Sequence, residues 1–472
     1  MRPGIAILLS TSMLALLLAF LFAARGAGAR EPARGAGFWD QRTEEFIRSK
    51  VAYTYVDELD DRKSREAFYR AMDAYVNLDK YCDYIPPEEH KRWQEDTAGR
   101  YAGLGVKINK VEEGLHVVGV FPNGPASKAG ILVGDTIVRA AGRNLAGMDV
   151  EDITKLLKGA PRSKVRVSVI RGPRPEEGPV SGPEVEFEVT RDLIRPPTVF
   201  TRRLGDEKQF LHIRLSEFAE ETADAFNREM DKLLEKEPAK GVILDLRDNG
   251  GGVLGVAVSV ADRFLRKGRN IVRMEGRSAD ASRTYHATSK QGKLLDIPLV
   301  VLVNGWSASA SEVVAGALQD HRRGVLVGTH TFGKFLVQSI TTIPPYRRGG
   351  TTLGAVKLTT SRYYTPSGRS YQSSSRKSLP GQFDPDDEDA LPDDEGTGLV
   401  PDVVIRLPKE DALDLRRLWL DEEGRFWGEK RHYPELSWDY VDAQVQRALE
   451  LLGGQLVMQR IKPGSRAKRR NG

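Results

Sequence analysis

The chain has 472 residues, 40% hydrophobic and 29% charged, with a formal net charge of +5. That length exceeds one ordinary core and predicts two to four domains of soluble, globular character. The basic excess sits partly in the tail Arg466 to Arg470 and gives no ground for nucleic-acid binding, while the single Cys82 excludes an intrachain disulfide and lacks the Cys or His neighbours of a zinc site.

Residues 1–29 carry an address. Arg2 precedes an apolar run from Ile5 to Ala24, and Ala27-Gly28-Ala29 has the small-x-small pattern of a signal-peptidase site. The run is also long enough to span a bilayer, with Arg25, Arg30 and Arg34 beyond it. The expectation is export from the cytoplasm as a cleaved signal peptide or a retained anchor, with membrane contact confined to residues 5–24.

Residues 37–100 form a charged, helical segment. Phe46, Val51, Tyr55, Leu59, Phe68, Met72 and Val76 recur near helical spacing, and Pro86-Pro87-Glu88-Glu89 opens a further short helix. This reads as a packing and dimerisation arm without chemistry, so a homo-oligomer is a possible assembly.

Residues 101–192 are strand-rich. Val117-Val118-Gly119-Val120 alternates with polar flanks, a helix is predicted from Val150 to Leu157, and Val165 to Val169 and Val185 to Val189 supply two alternating strands. With Gly124-Pro125-Ala126, Ala129-Gly130-Ile131 and Gly134-Asp135 between them, the order resembles a PDZ domain. That resemblance implies a partner, the free C-terminus of a protein or peptide, added as a strand beside a glycine loop. Gly103, Leu104, Gly105 and Val106 occupy the loop's position. Arg162 departs from the pattern, standing in a turn where glycine is usual.

Residues 198–408 alternate buried strands with helices, which predicts an α/β layered domain. The strands run near Phe210 to Leu215, Gly241 to Leu244, Leu299 to Val303 and Val325 to Gly328, with a helix from Thr222 to Lys236. Residues 372–398 interrupt this domain with Asp384-Pro385-Asp386-Asp387-Glu388-Asp389 and further acids, a composition expected to stay disordered. No Gly-punctuated ligand loop accompanies those acids, so calcium binding is not expected. Residues 409–472 are read as a C-terminal helical segment, with a helix from Val441 to Leu452, and a basic tail.

Chemistry concentrates in the α/β domain. After the strand Leu299 to Val303 comes Ser307-Ala308-Ser309-Ala310-Ser311-Glu312, then a predicted helix to Asp320. A small-residue turn there puts Ser309 near a helix N-terminus, where free N–H groups can receive an oxyanion. Lys334 follows Ser309 by 25 residues in Phe332-Gly333-Lys334, with Gln338 four further on. A lysine can take a serine proton only as the neutral amine, so burial must depress its pKa. Asp245-Leu246-Arg247-Asp248-Asn249-Gly250-Gly251-Gly252 supplies glycines that let a backbone N–H approach a reacting carbonyl.

Two rival readings are weaker. Gly328 to Lys334 has phosphate-loop spacing, but Phe335 stands where Ser or Thr must hold magnesium. No rule places His321 or His330 beside Ser309, and no paired His spacing suggests a metal.

Together with Tyr363-Tyr364-Thr365-Pro366-Ser367-Gly368-Arg369, these motifs resemble the carboxyl-terminal processing (tail-specific) protease family from about Phe38 to Leu452. The resemblance implies a multidomain α/β protein with a helical N-terminal segment, a PDZ domain and a core of the crotonase and Clp-peptidase fold. It implies a cofactor-free serine endopeptidase with Ser309 as nucleophile, Lys334 as general base and Gln338 as its orienting partner. Ser307 and Ser311 are the wrong members of the cluster by family position. The N–H of Ala310 would form the oxyanion hole with that of Gly251 or Gly252. Phe335-Leu336 departs from the family's Gly-Ser, and Gly250 from a frequent Pro. The rival class is a catalytically silent PDZ adaptor.

Overall fold

A computed structural model of the chain describes residues 61–98, 100–171, 180–288, 294–344, 352–371, 397–426 and 440–461. The apolar run 5–24, residues 37–60 of the helical arm, nearly all of the acidic interruption and the basic tail lie outside them. The chain falls into two units, residues 1–72 and 73–472. Of the first, only the start of the helix Asp61–Val76 is described.

A six-stranded sheet organises the larger unit, in the order Val199–Leu204, Phe210–Leu215, Gly241–Asp245, Leu299–Val303, Val325–Gly328 and Val403–Val404. The first pair is antiparallel and the rest are parallel. Its inner strands Gly241–Asp245, Leu299–Val303 and Val325–Gly328 are largely apolar because both faces are covered, while Phe210–Leu215 also buries His212 and Arg214. Val242, Leu244, Val301 and Val303 point into one core with Phe226, Met230, Val256 and Val313. The alternate residues Ile243, Val300 and Leu302 meet Val445, Ala448 and Leu452 on the other face. The helices Thr222–Lys236, Leu254–Asp262 and Ala310–Asp320 supply the first cover and Ala443–Ile461 the second.

A second sheet lies across the site. In it Ala355–Tyr364 pairs with Asp83–Ile85, Asn270–Gly276 and Leu336–Thr342. A register shift between Val337 and Gln338 leaves Gln338 opposite Thr359.

The unit that resembles a PDZ domain has the strand order Val106–Val111, Gly114–Val120, Asp135–Ala140, Lys164–Arg171, Glu184–Thr190. Its core joins Leu115, Val117, Ile137, Val167 and Val169 to Ile153 and Leu157 of the helix Val150–Leu157. Val106–Val111 is one edge strand and Glu184–Thr190 the other. Tyr101–Gly103 pairs with Asp192–Ile194 and ties the unit's two ends together. Arg162 adopts φ 69°, the left-handed backbone for which glycine is the easier choice, and its N–H donates to Arg191 O at 2.8 Å.

Candidate active site

The strand Leu299–Val303 ends in a turn whose groups are spoken for. Ser307 Oγ donates to Leu246 O (2.7 Å) and Ser311 Oγ to Asn249 O (2.8 Å), and both serines are fully buried. Ser309 alone of the three is partly exposed. It sits at φ 56° and ψ −111°, a backbone region that side chains other than glycine seldom occupy. The helix Ala310–Asp320 starts immediately after it, leaving the Ala310 N–H without an acceptor inside the helix.

Glu312 ties this turn to the lysine segment. Its Oε2 accepts the N–H groups of Ser309 (2.8 Å) and Lys334 (2.9 Å). Its Oε1 accepts the Thr331 hydroxyl (2.6 Å) and the Gly333 N–H (2.7 Å). Burial pushes this carboxyl up to about 6, against the pull of those four donors. The Tyr363 hydroxyl closes the arrangement, lying 2.9 Å from Ser309 O and in hydrogen-bond contact with Lys334 O. Burial also holds that phenol well above its ordinary range.

The Lys334 amine is pushed below the usual lysine range, first by burial and then by the Lys357 charge, while Glu312 and Asp79 act in the opposite sense. Its Nζ lies 4.9 Å from the centroid of the Tyr81 ring. Gln338 lines the same cavity, and its Nε2 donates to Thr359 Oγ1 at 3.2 Å. Phe335 is turned away from the cavity. It is buried in the core, stacked on Tyr363 at 4.5 Å and edge-on to Tyr371 at 5.2 Å.

The glycine loop packs directly on Ser309. A Cβ on Gly251 would stand 2.8 Å from both Ser309 Cβ and Ala308 O, and one on Gly252 2.4 Å from Phe218 O. The Gly251 N–H is already given to Asn249 Oδ1 (2.9 Å), whereas the Gly252 N–H makes no hydrogen bond among the described residues. Ser309, Ala310, Lys334, Gln338, Gly251 and Gly252 thus share one cavity of about 600 Å³.

Gly103, Leu104, Gly105 and Val106 lie elsewhere, at the start of the edge strand. Leu104 O and Gly105 O accept Ala126 N–H (2.8 Å) and Phe121 N–H (2.9 Å). The N–H groups of Leu104 and Gly105 carry no hydrogen bond among the described residues. Gly105 has φ 72°, and a Cβ there would meet Ile194 Cδ1 at 2.8 Å. His321 is also remote from the cavity, its Nε2 bonded to Asn270 O at 2.6 Å. After Lys334 the chain enters a strand, Leu336–Thr342, where a phosphate loop would enter a helix.

Sequence reasoning missed Glu312, Tyr81 and Lys357. Glu312 had a signal, since Ser309 and Glu312 have the Ser-x-x-Glu spacing of a capping box.

The layered sheet, the strand-edged small domain and the serine turn define a PDZ-bearing peptidase. The Peptidase family S41 profile matches residues 209–386, and a PDZ domain profile matches residues 116–171. A carboxy-terminal-processing protease of Bartonella bacilliformis is 35% identical over 366 residues, covering 77% of this chain and 74% of that protein. The carboxy-terminal processing protease CtpA of Bacillus subtilis is 30% identical over 319 residues, 68% of this chain and 64% of that protein. Among solved structures, the photosystem II D1 C-terminal processing protease aligns with 26% identity and a TM-score of 0.38, over 84% of this chain and 94% of that one. The chain belongs to the carboxy-terminal-processing proteases of peptidase family S41. Among the described residues no helix is long and apolar enough to cross a membrane.

Proposed function

We propose that this chain is an exported serine endopeptidase working through a Ser309–Lys334 dyad. The observation that carries the reading is Glu312, whose one carboxylate holds the backbones of both residues at the wall of a single cavity. Neutral Lys334 takes the proton from Ser309 Oγ as that oxygen attacks the peptide carbonyl. The oxyanion is received by the N–H groups of Ala310 and Gly252, since the Gly251 N–H is committed to Asn249. The ammonium then returns the proton to the leaving amine, and water releases the acyl group. Gln338 keeps its amide oxygen for the Lys334 amine while Thr359 holds its Nε2. The edge strand Val106–Val111 docks the substrate's C-terminal tail, with the free N–H groups of Leu104 and Gly105 on its carboxylate. The run Ile5 to Ala24 delivers the chain outside the cytoplasm.

Labelling of Ser309 by a fluorophosphonate probe tests the dyad. Wild-type labelling should rise with pH as the depressed Lys334 amine loses its proton. Lys334→Arg should be as inert as Lys334→Ala, because a guanidinium cannot be deprotonated in a protein. Ser309→Ala should abolish labelling, a loss of several orders of magnitude in rate. An active Arg variant, or labelling that ignores pH, would remove lysine as the base.

A further inference from the structure

The start of the larger unit reaches the lysine. Asp79 folds the chain into a turn, its Oδ1 accepting the N–H groups of Tyr81 (2.8 Å) and Cys82 (3.1 Å). Cys82 Sγ accepts the Thr359 N–H at 3.3 Å, and Asp83–Ile85 pairs with Lys357 to Ala355. These ties fix Tyr81, which is 4% exposed, against Lys334. Lys334 Nζ stands 4.9 Å from the ring centroid, within the range of a cation–π contact. The Tyr81 hydroxyl is buried and makes no hydrogen bond among the described residues. What the turn presents to the amine is therefore the ring face.

Around that amine the charged and titratable groups are Glu312 on the helix, Asp79 on the turn, Lys357 and Tyr363 on one strand, and Tyr81 itself. Among the described residues no carboxylate comes within ion-pair distance of Lys334 Nζ. A paired carboxylate would favour the ammonium at rest and cost the base its function. An aromatic face attracts the cation more weakly and carries no charge.

We propose that Tyr81 is a positioning residue of the dyad, its ring face receiving the ammonium that Lys334 becomes on taking the Ser309 proton. The proposal rests on the reading of Lys334 as base. The proton moves from Oγ to Nζ, the Oγ electron pair forms the bond to the carbonyl carbon, and Tyr81 exchanges nothing. Lys334 is thereby aimed and its charged form stabilised at the moment it is needed.

The test replaces Tyr81, in the full chain, by Phe and by mono-, di- and trifluorinated Phe, and follows fluorophosphonate labelling of Ser309 against pH. Fluorine drains the ring face with little change of shape. Tyr81→Phe should keep the wild-type midpoint and a rate within about threefold. Each fluorine should move the midpoint down, by about half a pH unit or more across the series, because a weaker contact disfavours the ammonium. Tyr81→Phe should also melt no lower than the wild type, since the hydroxyl it removes is unbonded. A midpoint that stays put across the fluorinated series overturns the proposal while leaving Lys334 as base, as does a Phe variant as slow as Tyr81→Ala. A wild type with no pH rise would remove the base and this proposal together.

Discussion

Replacing Glu312 by Gln changes no heavy-atom outline, yet it turns one of two acceptor oxygens into a donor. Each oxygen receives two donors, so Glu312→Gln must set an NH₂ against either the Ser309 and Lys334 N–H groups or the Thr331 hydroxyl and Gly333 N–H. Each unsatisfied buried group costs about 1–3 kcal/mol. We expect a clearly lower melting temperature and Ser309 labelling slowed by about 10- to 100-fold. Burial raises this carboxyl from 4.5 to about 6, so its contribution to folding is fully present below 4.5 and lost as pH rises through about 6. The ionised carboxylate is thus retained at a cost in stability at neutral pH. Wild-type thermal melts should accordingly lose their advantage over Glu312→Gln least at acid pH; equal melts at neutral pH would contradict the role given to the carboxylate. Ser309 and Lys334 could be proposed from the sequence because their motif and spacing are local facts, and the fold brings them to one cavity. Gly251 and Gly252 were not separable, because only the folded path shows which N–H Asn249 takes. Tyr81 was hidden because an aromatic residue in an amphipathic segment looks like packing.

At the scale of elements, the edge position of Val106–Val111 matters most. An edge strand has one row of backbone groups unpaired, which is where an extended peptide can add. If the N–H groups of Leu104 and Gly105 hold a carboxylate, amidating the C-terminus of a good peptide substrate should weaken binding at least tenfold by calorimetry. Equal affinity for free and amidated peptides would show that this edge does not read tails. The buried runs Leu299 to Val303 and Val325 to Gly328 were readable because an inner parallel strand is apolar without interruption, and Phe210 to Leu215 was readable despite the buried His212 and Arg214 within it. Ala355–Tyr364 escaped notice because most of its residues are only half-buried, so no run or alternation marks it. The helix Lys409–Phe426 lies in the segment read as helical from residue 409, although its own bounds were not drawn there, since charges dominate its sequence. Phe335 stood out only as a departure from the family's pattern, and a sequence cannot say toward which side of a chain segment a ring will turn.

Across the whole molecule, the loop under Ser309 is braced by residues nearly 200 positions away. Arg247, 1% exposed, pairs with Asp245 (2.6 Å) and with Asp442 (3.0 Å), and also donates to Gln444 Oε1 at 2.9 Å. Asp248 is held by Asn304 (2.7 Å) and by Arg416 (2.8 Å). Arg247, together with His212 bonded to Asp245 at 3.0 Å, keeps the Asp245 carboxyl far below its ordinary range even though it is wholly buried. Depressed in this way, it adds stability at neutral pH that is lost as acid protonates it. Such bracing allows the molecule to keep an uncomfortable backbone at Ser309. That residue's φ of 56° with ψ of −111° suits glycine, and holding a side chain there costs of order 1–3 kcal/mol. Ser309→Gly relieves it, against about 0.5–1 kcal/mol for the extra freedom glycine gains when unfolded. We expect a dead protein that melts a few degrees higher than the living one, measurable by calorimetry, and a lower melting point would deny the strain. The consequence is evolutionary. Drift toward stability alone would favour glycine at position 309, so the serine there is not a residue that stability by itself selects.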